Sequence, residues 1–356
     1  MSDAGIDLAA YRPRSRLRVA AHLIDRPSSP VIDAHSHLGA GFGAEWASRR
    51  PADLLPILDA AGVEAIVDLD GGQGLGLVAE IERWQRKWPE RVAVFAGLDY
   101  DAWAHDPDFG EREARALEAS ASAGARGLKV WKRLGLGARD PAGRLIMPDD
   151  ERLDPLWQAA ARLGLPVLIH VADPIAFFDP LDTGNERWEE LHAHPDWHFW
   201  PTRPAGRPEA PGFPPFDELL GSLGRLLRRH PGTTFIGAHV GCAAEDLAWV
   251  STTLDACPSF HVDIAARLGE LGRQPYTSRA FFERYADRVL FGVDVGPDPQ
   301  VYRTYYRFLE TRDESFDYDV EEVPGQGRWQ IHGIGLDESV LRQVYRDNAR
   351  RLVFER

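Results

Sequence analysis

From residue 31 onward the chain alternates short apolar or β-branched runs with longer stretches in which apolar residues recur every three or four positions. Eight short runs are present: 31–37 (VIDAHSH), 64–70 (EAIVDLD), 92–98 (VAVFAGL), 125–131 (ARGLKVW), 166–171 (PVLIHV), 234–240 (TFIGAHV), 260–265 (FHVDIA) and 289–295 (VLFGVDV). Runs apolar on both faces, separated by helix-length segments, read as parallel strands joined by crossovers. Helical periodicity covers 111–123, 153–163, 217–229, 245–254, 278–285 and 336–354, with turns marked at Gly124, Gly164, Pro231 and Pro258. Eight such units predict an α/β protein, a (β/α)8 TIM barrel with a C-terminal helix. The expected organisation is an N-terminal arm over 1–30 and a single barrel domain over 31–356. Two connections exceed a simple turn, a long insertion after strand 5 over 173–215 and a second over 311–332.

Composition narrows the function classes. Of 356 residues, 44% are hydrophobic and 27% charged, as in an ordinary globular protein. The 41 Lys and Arg against 55 Asp and Glu leave a net charge of −14, which repels phosphodiester backbones and anionic lipid. Nucleic acid and membrane are therefore not expected partners. Two cysteines, Cys242 and Cys257, cannot form a disulfide scaffold. No apolar run approaches the roughly 20 residues of a spanning helix, and nothing reads as a leader, so the expected compartment is the cytoplasm. The basic group from Arg12 to Arg18 reads as a solvated arm. Lysine occurs only at Lys87, Lys129 and Lys132. In an arginine-biased chain, the two lysines of GLKVWK suggest a chemical choice of primary amine over guanidinium.

Polar residues at the ends of buried strands are costly unless paired, and here they are of one chemical kind. The first run ends His35-Ser36-His37, the fifth carries His170, the sixth His239 and the eighth Asp294. Residues i and i+2 of a strand share a face, so His35 and His37 point the same way. Several imidazoles and a carboxylate converging at a barrel mouth make a divalent transition-metal site, with zinc expected or manganese in its place. By contrast His192, His194 and His198 lie in the long insertion and read as surface or lid. His22, His105, His230, His261 and His332 are assigned no role.

VIDAHSH, GLKVWK, LIHVADP, FIGAHVG and FGVD, in this order and with the closing RDNARRL, resemble the amidohydrolase superfamily. Within it the likeness is to the amidohydrolase-related group that includes aminocarboxymuconate-semialdehyde decarboxylase-like proteins. The resemblance implies that His35, His37, His170 and Asp294 are metal ligands, and that His239 ligates a second metal or orients the reactive water. Lys129 stands where binuclear members carry a carboxylated lysine bridging two metals. Bridging, contact with substrate or water, and structural pairing all stay open for it, as does one metal ion or two.

Around this centre, Trp131 shares a side with Lys129 and could wall the pocket. Lys132 could contact substrate or an acidic lid residue, or be a surface cation. Arg267, after the seventh strand, suits a substrate carboxylate in two-point contact, or an ion pair with Glu270 or Asp263. In the insertion, Asn185 and Arg187 could reach inward beneath an apolar lid, although a seal between protomers would use the same residues. Gly71-Gly72 reads as a tight turn. The expected function is a metal-dependent hydrolase of a small amide, ester or lactone, with Asp294 moving the proton of a metal-activated water and His239 steadying the oxyanion. The alternatives are a non-hydrolytic decarboxylase of a small carboxylic acid and a non-catalytic metal-stabilised binding protein. A small-molecule substrate and a homo-oligomer, a dimer, are the expected partners.

Overall fold

Every predicted run contributes a parallel strand, but most strands are shorter than the runs that contain them. The computed structural model describes residues 5, 10–39, 44–200, 212–319 and 321–355. Strand β1 (Val31–Ser36) pairs with β2 (Val63–Asp68) and β2 with β3 (Val92–Val94). The strands β4 (Leu128–Val130), β5 (Val167–Ile169), β6 (Phe235–Gly237), β7 (Phe260–Asp263) and β8 (Val289–Leu290) follow in order. Two seams close the barrel. Between β3 and β4, Ala96 bridges Leu128 and the Lys129 amide donates to the Ala96 carbonyl at 2.7 Å. Between β8 and β1, the Ala34 amide donates to Phe291 at 2.9 Å and the Asp294 amide to His35 at 2.8 Å, with Ser36 bridging Val295.

Side chains alternate across the barrel wall. Ile32, Ala65, Val67, Leu168, Ile236 and Leu290 form the barrel's own interior, joined by Ala349, Leu352 and Val353 of the C-terminal run. The other face of each strand, with Val31, Ile66, Val130, Val167 and Phe260, packs against the surrounding helices. Asn348 completes the C-terminal contact, its amide donating to the carbonyls of Ala286 (2.7 Å) and Val289 (2.8 Å) at the start of β8.

The helices depart from expectation mainly at their ends. The one expected from 245 begins at Leu247, because the Asp246 carboxylate caps it by accepting from Ala248 and Trp249 (3.1 and 3.0 Å). The one expected from 278 starts at Pro275, a residue suited to a first turn. The C-terminal run is helical from Glu338 and widens over Gln343–Asp347 and Arg350–Phe354. Strand β6 stops at Gly237 where the pattern extends to 240, because His239 and Val240 take left-handed backbone angles (φ 58° and 61°).

The two insertions meet over the barrel mouth. The first carries the helix Trp188–Ala193, and its residues 201–211 lie outside the described set, as do residues 1–4 and 6–9 of the arm. In the second, whose residue 320 lies outside that set, Phe316 and Ile331 bridge antiparallel. Arg328 of the second grips Glu189 of the first through two bonds of 2.7 and 2.8 Å. Among the described residues no helix is long and apolar enough to cross a membrane.

Candidate metal centre

The site begins with an irregularity in β1. Asp33 faces out of the barrel and accepts from the Tyr302 hydroxyl at 2.8 Å, so strict alternation would send His35 outward as well. The pairing with β2 shifts register between Asp33 and Ser36, a bulge that turns both His35 and His37 inward. Gly292, across the β8 seam, makes room: a Cβ there would lie 2.7 Å from that of His35.

Each imidazole is then held by a carboxylate of its own. His35 Nδ1–H donates to Asp263 Oδ2 at 2.9 Å and His37 Nδ1–H to Asp70 Oδ1 at 2.8 Å. Both Nε2 atoms are thereby aimed at one oxygen, Asp294 Oδ1, at 2.9 Å from His35 and 3.1 Å from His37. Two nitrogen lone pairs facing an acceptor oxygen are unfavourable without a proton or cation among them. Separations of about 3 Å are also those between ligand atoms around an ion with bonds near 2.0–2.1 Å. His35, His37 and Asp294 form a group able to hold a metal ion, and His35, His239 and Asp263 form a second.

Electrostatics agrees with the geometry. Burial would depress His37, but hydrogen bonds to Asp294 and Asp70, reinforced by their charges, raise it to about 9. Burial would raise Asp294, but the interaction with His35 and the hydrogen bonds of His35 and His37 hold it well below the usual carboxylate range. Asp294 also sits at φ 68°. Left-handed non-glycine residues of this kind cost on the order of 1–3 kcal/mol each and cluster at functional sites.

His239 and His170 stand beside this group. His239 Nδ1–H donates to the Ala265 carbonyl at 2.8 Å, which leaves Nε2 facing Asp294 Oδ2 at 3.8 Å. Burial, then the charge of Arg267, pushes His239 well below its ordinary value and keeps it neutral. The His170 ring meets that of His239 edge-on at 4.4 Å, and its Nε2 faces the Ala172 carbonyl (3.0 Å) and Asp173 (3.3 Å) rather than Asp294. Burial lowers His170 to about 4. Lys129 is wholly buried, its Nζ 3.1 Å from His35 Nε2, and burial outweighs the pull of Asp294 and Asp263 to lower its pKa.

The remaining candidates divide. The Trp131 ring lies 5.3 Å from that of His37 and 4.9 Å from Lys129 Nζ, so it borders the centre. Lys132 pairs with Asp173, whose carboxyl that charge helps hold below its ordinary value against burial. Arg267 is 5% exposed and donates to the Ala266 carbonyl at 2.7 Å. Neither of its expected acidic partners is available to it, since Asp263 is bound to His35 and Glu270 pairs with Arg187. Asn185 braces the insertion, donating to the carbonyls of Ala176 (2.8 Å) and Pro180 (3.1 Å). Arg187 is buried between Glu270 and Glu190 with Trp329 across its guanidinium at 5.4 Å, away from the histidine cluster.

Asp70, which holds His37 in place, was not singled out from sequence, and Asp263, which holds His35, was named there only as a possible partner of Arg267. The signal was present in EAIVDLD and FHVDIA, where an acid ends or interrupts an apolar run just as the histidines do.

The amidohydrolase family matches this chain over residues 32–354. No curated protein matches it. Among solved structures, 2,6-dihydroxybenzoate decarboxylase complexed with 2,6-dihydroxybenzoate superposes with a TM-score of 0.55 at 17% identity, covering 92% of this chain and 99% of that one. Dihydroxybenzoic acid decarboxylase from Polaromonas sp. JS666, with bound manganese and the inhibitor 2-nitroresorcinol, gives 0.56 at 15% identity over 91% and 96%. The 5-carboxyvanillate decarboxylase from Sphingomonas paucimobilis gives 0.52 at 13% identity over 92% and 99%. At such identities the likeness is one of fold, and the fold is that of TIM-barrel amidohydrolase relatives.

Proposed function

The chain belongs to the amidohydrolase family, and from that premise we propose that it is a metal-dependent decarboxylase of a small hydroxylated aromatic carboxylic acid. This takes precedence over the hydrolase that the sequence alone put first, since the similar solved structures named above are decarboxylases of aromatic acids. The observation that carries the reading is Arg267. It is a buried guanidinium that makes no ion-pair contact with a carboxylate among the described residues, and its charge reaches His239 and, beyond contact distance, Glu190 and Glu245. A buried cation with no carboxylate in contact is costly, and a substrate carboxylate would satisfy it in two-point contact.

His35, His37 and Asp294 would hold a divalent ion, zinc or manganese, with His239 and His170 beside them. Such an ion supplies stabilisation for negative charge developing on substrate oxygens. Arg267 orients the acid, and Trp131 offers a flat apolar wall to its ring. The C–C bond to the carboxylate breaks, carbon dioxide leaves, and the electron pair stays on the ring carbon. That carbon takes a proton from Asp294, which has first received it from a substrate hydroxyl. The low proton affinity of Asp294 favours the return step, and neutral His239, its Nε2 lone pair facing Asp294, can accept or relay the same proton.

A hydrolytic reading rests on Lys129. A buried lysine with a lowered pKa gives up its proton more readily, as carboxylation requires, and a carboxylated Lys129 beside His35 would bridge two ions. The two readings part in one experiment: protein reconstituted with manganese or zinc is offered hydroxybenzoic acids alongside amides, esters and lactones. Release of carbon dioxide, with one deuterium entering the product in D2O, supports decarboxylation. Hydrolysis of the neutral substrates with no carbon dioxide from any acid overturns it.

A further inference from the structure

We infer that Asp263 is a positioning residue that ties the metal-binding end of β1 to the turn that carries His239. Its consequence for metal rests on the metal-dependent reading above, whereas its substance is geometric. Asp263 is wholly buried, and its two oxygens serve different strands. Oδ2 accepts from His35 Nδ1 at 2.9 Å, while Oδ1 accepts from the His239 amide at 2.9 Å and the Ala265 amide at 3.0 Å. The first contact sets the tautomer of His35 and so frees its Nε2 for Asp294 and a cation. The second pins the first residue of the left-handed turn His239–Val240, whose side chain then faces the same carboxylate from the other side.

Asp70 provides the contrast. It orients His37 through Oδ1, but its Oδ2 accepts from Gly39 at 2.8 Å, two residues from His37 on the same segment. Asp70 is thus a local prop, and Asp263 links β1, β6 and β7.

The arrangement dictates what an isosteric amide must do. In Asp263→Asn the oxygen facing two backbone N–H donors must remain a carbonyl, which turns the amide NH2 toward His35 Nδ1. His35 then has to accept there and carry its proton on Nε2, the nitrogen that faces Asp294. We expect zinc or manganese affinity, measured by chelator competition without substrate, to fall about 10–100-fold. Nitrogen-15 spectra of histidine-labelled protein should show His35 protonated on Nδ1 in the zinc-loaded parent and on Nε2 in the metal-free variant. The same spectra of Asp70→Asn should move His37 and leave His35 and His239 unchanged. An affinity within threefold of the parent, or His35 still protonated on Nδ1 in the variant, overturns the inference. Should the variant not fold, the parent alone decides: a His35 proton on Nε2 is incompatible with it. None of these measurements uses turnover, so a failure to decarboxylate any acid leaves them intact.

Discussion

The triplet His-x-His occurs twice in this chain, and the two copies meet opposite ends. In His35-Ser36-His37 the extended backbone of β1 and its bulge bring both rings to one side, 5.6 Å apart and edge-on. In His192-Ala193-His194, where the helix Trp188–Ala193 ends, the rings diverge. His192 stacks on Trp188 at 4.8 Å and His194 on Trp197 at 4.1 Å, both residues exposed. A spacing of two is a ligand pair only on a strand, because on a helix it turns the side chains about 200° apart. Burial separates the copies further: the first pair is surrounded by Asp70, Asp263 and Asp294, and the second by solvent and indole rings.

Removing both rings of each pair tests this contrast most severely. His35→Ala with His37→Ala should abolish metal retention and turnover, whereas His192→Ala with His194→Ala should leave metal content at the parental level. Elemental analysis of the purified proteins reads both, and metal retained by the first double variant would end the assignment of β1. Next in size, Asp294→Asn keeps the shape but takes away the shared carboxylate and the proposed proton carrier. Turnover of the metal-loaded enzyme should fall about 10²–10⁴-fold, and a loss of less than about tenfold would remove Asp294 from the chemistry.

A third strand histidine sharpens the role of neighbours. His261 on β7 is buried with the charges of Arg351 and Arg288 near it, and burial first, then those charges, lower it to about 4. A histidine depressed in the folded state contributes stability that is fully present above its unfolded pKa of about 6.5 and is lost as pH falls toward 4. Denaturant unfolding of the parent should therefore weaken over that window by on the order of 2–3 kcal/mol from this group. His261→Asn should flatten the dependence, and an unchanged pH profile in the variant would contradict the burial argument. Lys129→Arg is expected to impair turnover by at least about tenfold, ~1.4 kcal/mol. Loss of one metal equivalent would identify a bridging lysine, a raised KM with metal intact a substrate contact, and parental kinetics a packing role. The smallest effect belongs to the lid: His192→Ala with His194→Ala should change unfolding stability by less than about 1 kcal/mol, as exposed ring stacks allow.

What could be read from the chain is what local periodicity encodes. Eight apolar runs at helix-length spacing specify parallel strands buried on both faces, and eight such units fit a closed barrel. Imidazoles placed at strand ends then mark the mouth as a metal centre. What periodicity cannot encode is where a strand departs from it. The bulge that turns His35 and His37 inward, the left-handed angles at His239, Val240 and Asp294, and the space at Gly292 arise only when β1, β6 and β8 pack together. Partner choice is of the same kind. Asp263 lies 228 residues from His35, and Glu270 lies 83 from Arg187. Nothing along the chain says that Asp263 takes a histidine, that Glu270 takes the insertion's arginine, or that Arg267 is left with neither. Those pairings are decided by competition among charges in a shared low-dielectric space, where geometry selects one cation for each acid.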